Sequence, residues 1–308
     1  HTGGSGSPRP ASQRAAAFIL TAAMLTTLAA PAFAETWYIE NGDITISAGK
    51  TEGTNKVSQG TTIDKVDTNT IITGTSDTNT VTIDTSKGNV DVTFDDLNID
   101  ASSRNEAAMS VTGSGNTTIK LDGDNHLTGG NGDTYGGDGI ASTGSLTISG
   151  GETDSLTAQG GSGENGGDGI TSSGSLTISG GTVTATGGNS TGIVGSGGSG
   201  IHSGGDVTIS GGTVTATGGD STGSDGSGGY GIYSSSTTTI SGGTVTATGG
   251  DSTGSYSSGG YGIYSSGVTI SGGSTVTANG GSGKDGSGDG IFSFDPVAIS
   301  GGTVTAKG

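Results

Sequence analysis

From residue 140 onward the apolar side chains fall into a fixed rhythm. A Gly-Ile pair is followed by a triplet ending in Ile, most often Leu-Thr-Ile or Val-Thr-Ile, and then in five of six units by Thr-Val-Thr-Ala, with polar residues at every second position. In residues 169–199, Leu176 and Ile178 alternate with Ser and Thr, as do Val183 and Ala185. That period of two predicts short strands buried on one side. Glycine pairs close the strands and read as corners that need positive φ. No segment keeps a helical period.

The rhythm is a repeat. Ile-Ser-Gly-Gly begins at 148, 178, 209, 240, 270 and 299, and TISGGTVTATGG recurs unchanged at 177–188, 208–219 and 239–250. Six units of about thirty residues define a repeat architecture. Three strands per unit cannot hold this register as local hairpins. They fit an all-β fold, a parallel β-helix or solenoid of right-handed sense, in which each strand pairs with its copy one unit on, about 4.8 Å away. Ile170, Leu176, Ile178, Val183 and Ala185 then point inward and stack on their equivalents. At roughly 1.5–3 kcal/mol per fully buried large aliphatic, one unit contributes little, so several are needed.

Residues 35–130 carry the same alternation less regularly, in TWYIENGDITIS, NVDVTFDDLNID and NTTIKLDGDNHLTGG, and read as irregular N-terminal coils that cap the stack. Residues 131–308 are the regular repeats. The chain ends at Gly308 directly after a unit, without a divergent cap, which predicts further sequence beyond it. Opening at His1 predicts an upstream start in the same way.

Composition sharpens this picture. Among 308 residues there are 68 Gly, 4 Pro and no Cys, with 27% hydrophobic residues, too few for an ordinary globular core but enough for stacked coils. Residues 1–34 read as a secretory signal peptide: Arg9 and Arg14 precede an apolar run over 15–30, and Ala32-Phe33-Ala34 supplies the cleavage pattern. The run is short for a transmembrane helix, so the mature chain is expected to have no transmembrane segment and to be secreted or held at the cell surface. The whole chain carries −18; with 28 acidic and 8 basic residues after position 34, the mature part carries −20. Such a charge repels nucleic acid and suits divalent cations.

On these residues the chain resembles secreted β-helix proteins of gut Gram-positive bacteria of the carbohydrate-binding or adhesin-like kind. The shared pattern is VTFDDLNIDAS (92–102), NTTIKLDGDNHLTGG (116–130) and then units of GI…LTISGGTVTATGG, covering most of 89–308. It is also similar to a clostridial family with a polysaccharide-lyase-like β-helix, for which the resemblance implies binding of cellulose and pectic polymers with calcium. The Asp-Gly-Ile of that family stands here at Asp138, Asp168 and Asp289; the other three units carry Ser199, Tyr230 and Tyr261 at that place.

Several surface patterns carry candidate chemistry. The outward position after each Gly-Ile pair runs Ala141, Thr171, His202, Tyr233, Tyr264, Phe292. Tyr230, Tyr233, Tyr261, Tyr264 and Phe292 are therefore candidate carbohydrate-binding residues, because sugar rings dock on aromatic faces while phenols bond their hydroxyls. The competing reading is an aromatic ladder that only stabilises the sheet. Asp138 and Asp168 on adjacent units, with Asp289, are candidate calcium ligands, since stacked like charges welcome a cation; the alternative is solvated loop carboxylates. Outward Thr columns at 182, 184 and 186 and their copies raise an ice-binding alternative, against plain strand propensity.

Catalytic patterns are sparse. The mature chain has two His, His126 and His202, and one Arg, Arg104. Asp91, Asp95 and Asp96 form its densest carboxylate group, which strand alternation is expected to separate. The reading is an exported, non-catalytic recognition module for a polysaccharide or cell-surface glycan, with calcium as candidate cofactor. The alternatives are a passive stalk, a polysaccharide lyase or hydrolase, or an ice-binding protein.

Overall fold

The computed structural model describes residues 34–308; the signal-peptide reading falls almost wholly on residues outside these. Half of the chain is β-strand, wound into a solenoid of about eight parallel turns of about thirty residues. The turns have three faces, and in the first regular turns each face takes its own strand, whereas Ile232–Ile240 and Ile263–Ile270 each run unbroken over the first two. In the regular turns the first face is made of strands such as Ile140–Ser142, Ile170–Ser172 and Ile201–Ser203. The second is made of Ser145–Ser149, Leu176–Ile178 and Val207–Ile209. The third is made of Ser155–Gln159, Thr182–Thr186, Thr213–Thr217 and Thr244–Thr248. Registers run copy to copy, with Ile170↔Ile201, Ile178↔Ile209, Val183↔Val214 and Ala185↔Ala216 paired, and shift by one residue between Ser234 and Thr237 where Ile232–Ile240 meets Ile263–Ile270.

The alternation has its expected consequence. Ile170, Leu176, Ile178, Val183 and Ala185 are all fully buried, as are their copies in the next turn. The corner between the second and third faces falls on Gly181, Gly212, Gly243 and Gly302, at φ between +78° and +82°. Only a residue without Cβ adopts that conformation without strain.

The other glycine pair, after Thr-Val-Thr-Ala-Thr, is not a positive-φ corner. Gly188, Gly219 and Gly250 lie where the chain leaves the third face, and the loop returns beside them at Gly198, Gly229 and Gly260. The Gly198 N–H donates to Gly188 O (2.9 Å), Gly219 to Gly198 (2.8 Å), Gly229 to Gly219 (2.8 Å), Gly250 to Gly229 (2.8 Å) and Gly260 to Gly250 (2.9 Å). One thread of hydrogen bonds thus runs along the stack from glycine to glycine. A Cβ on Gly219 would stand 2.0 Å from the Gly188 carbonyl oxygen, and one on Gly250 equally close to that of Gly219. Backbone packs on backbone here, and only glycine fits. Outside this seam each loop is pinned by a buried serine: Ser221 Oγ donates to Gly195 O and Ser252 Oγ to Gly226 O, both at 3.0 Å.

The N-terminal turns join the same ladders, Ile44–Ala48 pairing in parallel with Val81–Asp84 and that strand with Met109–Thr112. An antiparallel excursion interrupts the first of them. Asn55–Gln59 folds back on Ile44–Ala48, and Thr62–Asp67 folds back on Asn55–Gln59. Trp37 anchors its base, with Nε1 donating to Asp67 Oδ2 at 2.8 Å. The long strand Val90–Asp100 serves two faces, bending at Asp96, whose φ is +50°.

Candidate functional site

The first face carries the aromatic residues, because its outward position follows the Gly-Ile pair in every turn. The register aligns Ala141↔Thr171, Thr171↔His202, His202↔Tyr233, Tyr233↔Tyr264 and Tyr264↔Phe292. Tyr230 and Tyr261 flank this column from the preceding loop. Ring centroids lie 5.5 Å apart for Tyr230–Tyr233 and Tyr233–Tyr264, 5.8 Å for Tyr230–Tyr261 and 5.1 Å for Tyr264–Phe292. The two-by-two patch and its extension by Phe292 therefore form as the spacing predicts. These rings are half-buried. Burial first, and then the neighbouring phenols, hold the Tyr230 hydroxyl above the ordinary tyrosine range.

The packing has a geometric consequence. Tyr233 and Tyr264 are within 8° of parallel, and Tyr264 and Phe292 within 11°. Their faces are turned largely toward each other along the stack, so the strip offers solvent a comb of ring edges and phenol oxygens. Phe294 differs. It is 67% exposed and stands at 90° to Tyr264 and 89° to Phe292, at the open end of the strip. The sequence reading missed it: period-2 counting from Phe292 would have placed it outward, but the strand ends at Ser293.

Toward the N-terminal end the strip becomes polar. The His202 ring meets Tyr233 edge-on at 4.6 Å, and its Nδ1 lies 2.9 Å from Asp168 Oδ2. Asp168 Oδ2 also accepts from Thr171 Oγ1 at 2.8 Å, and Asp168 Oδ1 accepts from the Ser199 N–H. One turn earlier, Asp138 Oδ1 accepts the Asp168 N–H at 2.8 Å. The bond to Asp168 raises the His202 pKa. Burial, reinforced by the Asp168 charge, pushes Asp138 up to about 6. Beside Asp138 opens a groove of about 650 Å3, lined by Glu106, Asp133, Tyr135 and Ala141 among others.

Of the candidate calcium ligands, the fold brings Asp138 and Asp168 together. Asp289 stands four turns beyond Asp168, with Ser199, Tyr230 and Tyr261 between them, and is exposed. Among the described residues no three His, Asp or Glu side chains converge as a metal-binding group. Asp138 and Asp168 each use Oδ1 to hold the next turn's backbone, and Asp168 Oδ2 is engaged by Thr171 and His202, so a cation here would draw on Asp138 Oδ2 and loop carbonyls and compete with His202 for Asp168. The same fastening recurs elsewhere. Asp220 Oδ1 accepts from Asp251 N–H and Asp206 Oδ1 from Thr237 N–H, at 2.8 and 3.0 Å.

The remaining patterns resolve as follows. The Thr columns align as expected: Thr182↔Thr213↔Thr244 and Thr184↔Thr215↔Thr246 continue through Thr275 and Thr277, while Thr186↔Thr217↔Thr248 gives way to Asn279 and Lys307. Asp91 projects outward before the bend. Asp95 and Asp96, which alternation was expected to separate, are brought near each other by the bend at Asp96, and Asp95 pairs in register with Asp122. Burial and these two neighbouring charges raise the Asp95 pKa. Arg104 is engaged by Asp43 and Glu106 at 3.1 and 2.8 Å. Set against protein-family models, curated proteins and solved structures, the chain matches none. Fold and site together define its class: a parallel β-solenoid with a half-exposed aromatic strip on one face.

Proposed function

We propose that this protein is a non-catalytic recognition module that docks an extended glycan along the first face, over the strip from His202 to Phe294. One observation carries this reading. The positions holding Tyr233, Tyr264 and Phe292 hold Ala141 and Thr171 in turns of the same register, so coil stacking does not require aromatic side chains there. Three turn steps of about 4.8 Å give the strip roughly 14 Å of length, enough for a short run of sugar rings. Phe294 supplies an open ring face and the tyrosines supply edges and hydroxyls, the two contacts a sugar makes. An exported location and a glycan partner belong to this reading, as does calcium at Asp138 and Asp168.

The face-to-face stacking of Tyr233 on Tyr264 favours a second reading, in which the ladder only stiffens a passive stalk. Retention of the full chain on a panel of insoluble and soluble polysaccharides, with calcium and with chelator, separates the two. Recognition predicts retention on one glycan class that Phe294→Ala weakens and Tyr233→Ala with Tyr264→Ala abolishes. No retention on any glycan, with the β-sheet spectrum intact, leaves the stalk. Release of unsaturated or reducing sugar ends would instead establish a lyase or hydrolase.

A further inference from the structure

A second surface lies at the other end of the stack, and its charge is opposite to that of the chain. Lys50 sits in the turn after Ile44–Ala48, Lys56 on the returning strand Asn55–Gln59, and Lys87 in the turn after Val81–Asp84, one coil on. The parallel register of Ile44–Ser47 with Val81–Asp84 brings the two turns side by side, and the antiparallel excursion adds the third lysine. The three line a pocket of about 310 Å3 whose other walls are Ala48 and Gly49, with no carboxylate in its lining. It shares Ala48, Gly49, Lys50 and Lys87 with an adjoining cleft of about 590 Å3 that adds Asn89, Asn116 and Thr118, along with Glu52 and Asp91.

This arrangement is unusual for the chain that carries it. Residues 35–308 contain 8 basic and 28 acidic side chains, yet three of those 8 converge on one pocket. Lys56 is paired with Asp64 at 3.1 Å, on the exposed surface. Lys50 and Lys87 make no ion pair among the described residues. Like charges held together repel, and a bound anion relieves the repulsion. The residue type narrows the anion. Arginine is the residue that grips a planar carboxylate bidentately, whereas lysines act as point charges around a phosphoryl group. In the adjoining cleft the Asn89 side-chain amide and the Thr118 hydroxyl are further donors, the Asn116 amide already donating to Thr118 Oγ1 at 3.4 Å.

We propose that the Lys50–Lys56–Lys87 pocket binds a phosphoryl group, as free phosphate or as a phosphodiester borne on a polymer. The site is separate from the aromatic strip and does not depend on the glycan reading. Its test is a titration of the isotope-labelled full chain with inorganic phosphate at constant ionic strength, with chloride as reference, followed by a soluble polyglycerol phosphate. Saturable shifts at Lys50 and Lys87, weakened at least tenfold in Lys50→Gln with Lys87→Gln and unchanged in Lys284→Gln, support the proposal. Saturation by the polymer alone assigns a polymer-borne source; saturation by phosphate at similar strength assigns the free anion. All the exchanged side chains are exposed, so the variants should fold, and an unchanged β-sheet spectrum checks this. Linear, non-saturating shifts with both probes, or saturation that survives the double substitution, would overturn it.

Discussion

The N-terminal turns and the regular turns fill the same solenoid by opposite means. Following one inward position along the third face, the register pairs Ile99↔Leu127, Leu127↔Ala158, Ala158↔Ala185 and Ala185↔Ala216. Large aliphatics give way to alanine. The early turns also bury Trp37, Phe94, Met109 and Leu121, and they hold Asn125 in the core, where its Oδ1 accepts the Leu97 N–H at 2.9 Å. The later turns replace bulk with backbone: alanine inside, and beside it the glycine seam that draws loop and strand together. A chain with little apolar volume can thus still pack densely, provided its backbone is bare where it touches itself.

The most severe way to break this comparison is a single methyl group in the seam. In Gly219→Ala the new Cβ would meet Gly188 O at 2.0 Å and Gly188 C at 2.6 Å, both main-chain atoms of the preceding turn. Neither can swing aside as a side chain tip would, so the substitution is expected to cost on the order of 5 kcal/mol or more, or to prevent folding. Gly273→Ala, at a glycine with no atom within 4 Å of its Cβ, is the matched control and should be neutral or gain a few tenths of a kcal/mol. Melting curves of the two variants decide the point. Equal effects would show that the seam tolerates side chains and that glycine serves there only for flexibility.

A smaller loss is expected where the early turns depend on bulk. Leu127→Ala converts a position of the N-terminal type into the residue its neighbour Ala158 already carries. If the early turns are built around large side chains, the change leaves a cavity and costs about 3 kcal/mol, within the range for buried leucines. If the measured cost stays below ~1 kcal/mol in denaturant unfolding, the taper from leucine to alanine is incidental.

The two regions also differed in how far they could be read from sequence. Ile170, Leu176, Val183 and their copies were legible because strand alternation and a thirty-residue repeat each fix the register independently. The aromatic column was legible for the same reason: once Ile201, Ile232 and Ile263 are aligned, Tyr233 must stand beside Tyr264. The seam was not, because a Gly-Gly pair signals a turn as readily as a close contact. The partners of Gly188 lie one loop away at Gly198 and one turn back at Gly167. The bend at Asp96 was hidden by its residue type, since aspartate gives no glycine signal at positive φ. The pairing of His202 with Asp168 needed the offset of three residues added to one full turn, which no local pattern displays. In the early turns the excursion over 55–67 keeps no clean alternation, with Ile63 and Val66 three residues apart and both exposed, so its pattern showed neither an antiparallel return nor a parallel advance.

The finest difference between the regions lies at their junction, where Asp138 begins the regular turns. Its carboxyl is pushed up to about 6 from 3.8 by burial and by Asp168. A group whose folded pKa stands above its unfolded value favours the fold in acid, and that contribution is lost as pH rises through the folded pKa. His202, raised by its bond to Asp168, acts in the same direction, its protonated form favouring the fold below its raised pKa. Asp138→Asn keeps the oxygen that accepts the Asp168 N–H and removes the ionisation. At pH 4 and below the variant and the parent should melt alike. Between pH 4 and 7 the variant should become the more stable, by at most about 3 kcal/mol, the ceiling set by a shift of about two units. Added calcium sharpens the result. If it raises the melting temperature of the parent at pH 7 and leaves Asp138→Asn unmoved, the Asp138–Asp168 pair is a cation site and the buried charge is relieved by metal. A loss of stability in the variant at pH 7 without metal would mean that the ionised carboxylate itself fastens the two turns, contrary to the sign argued from burial.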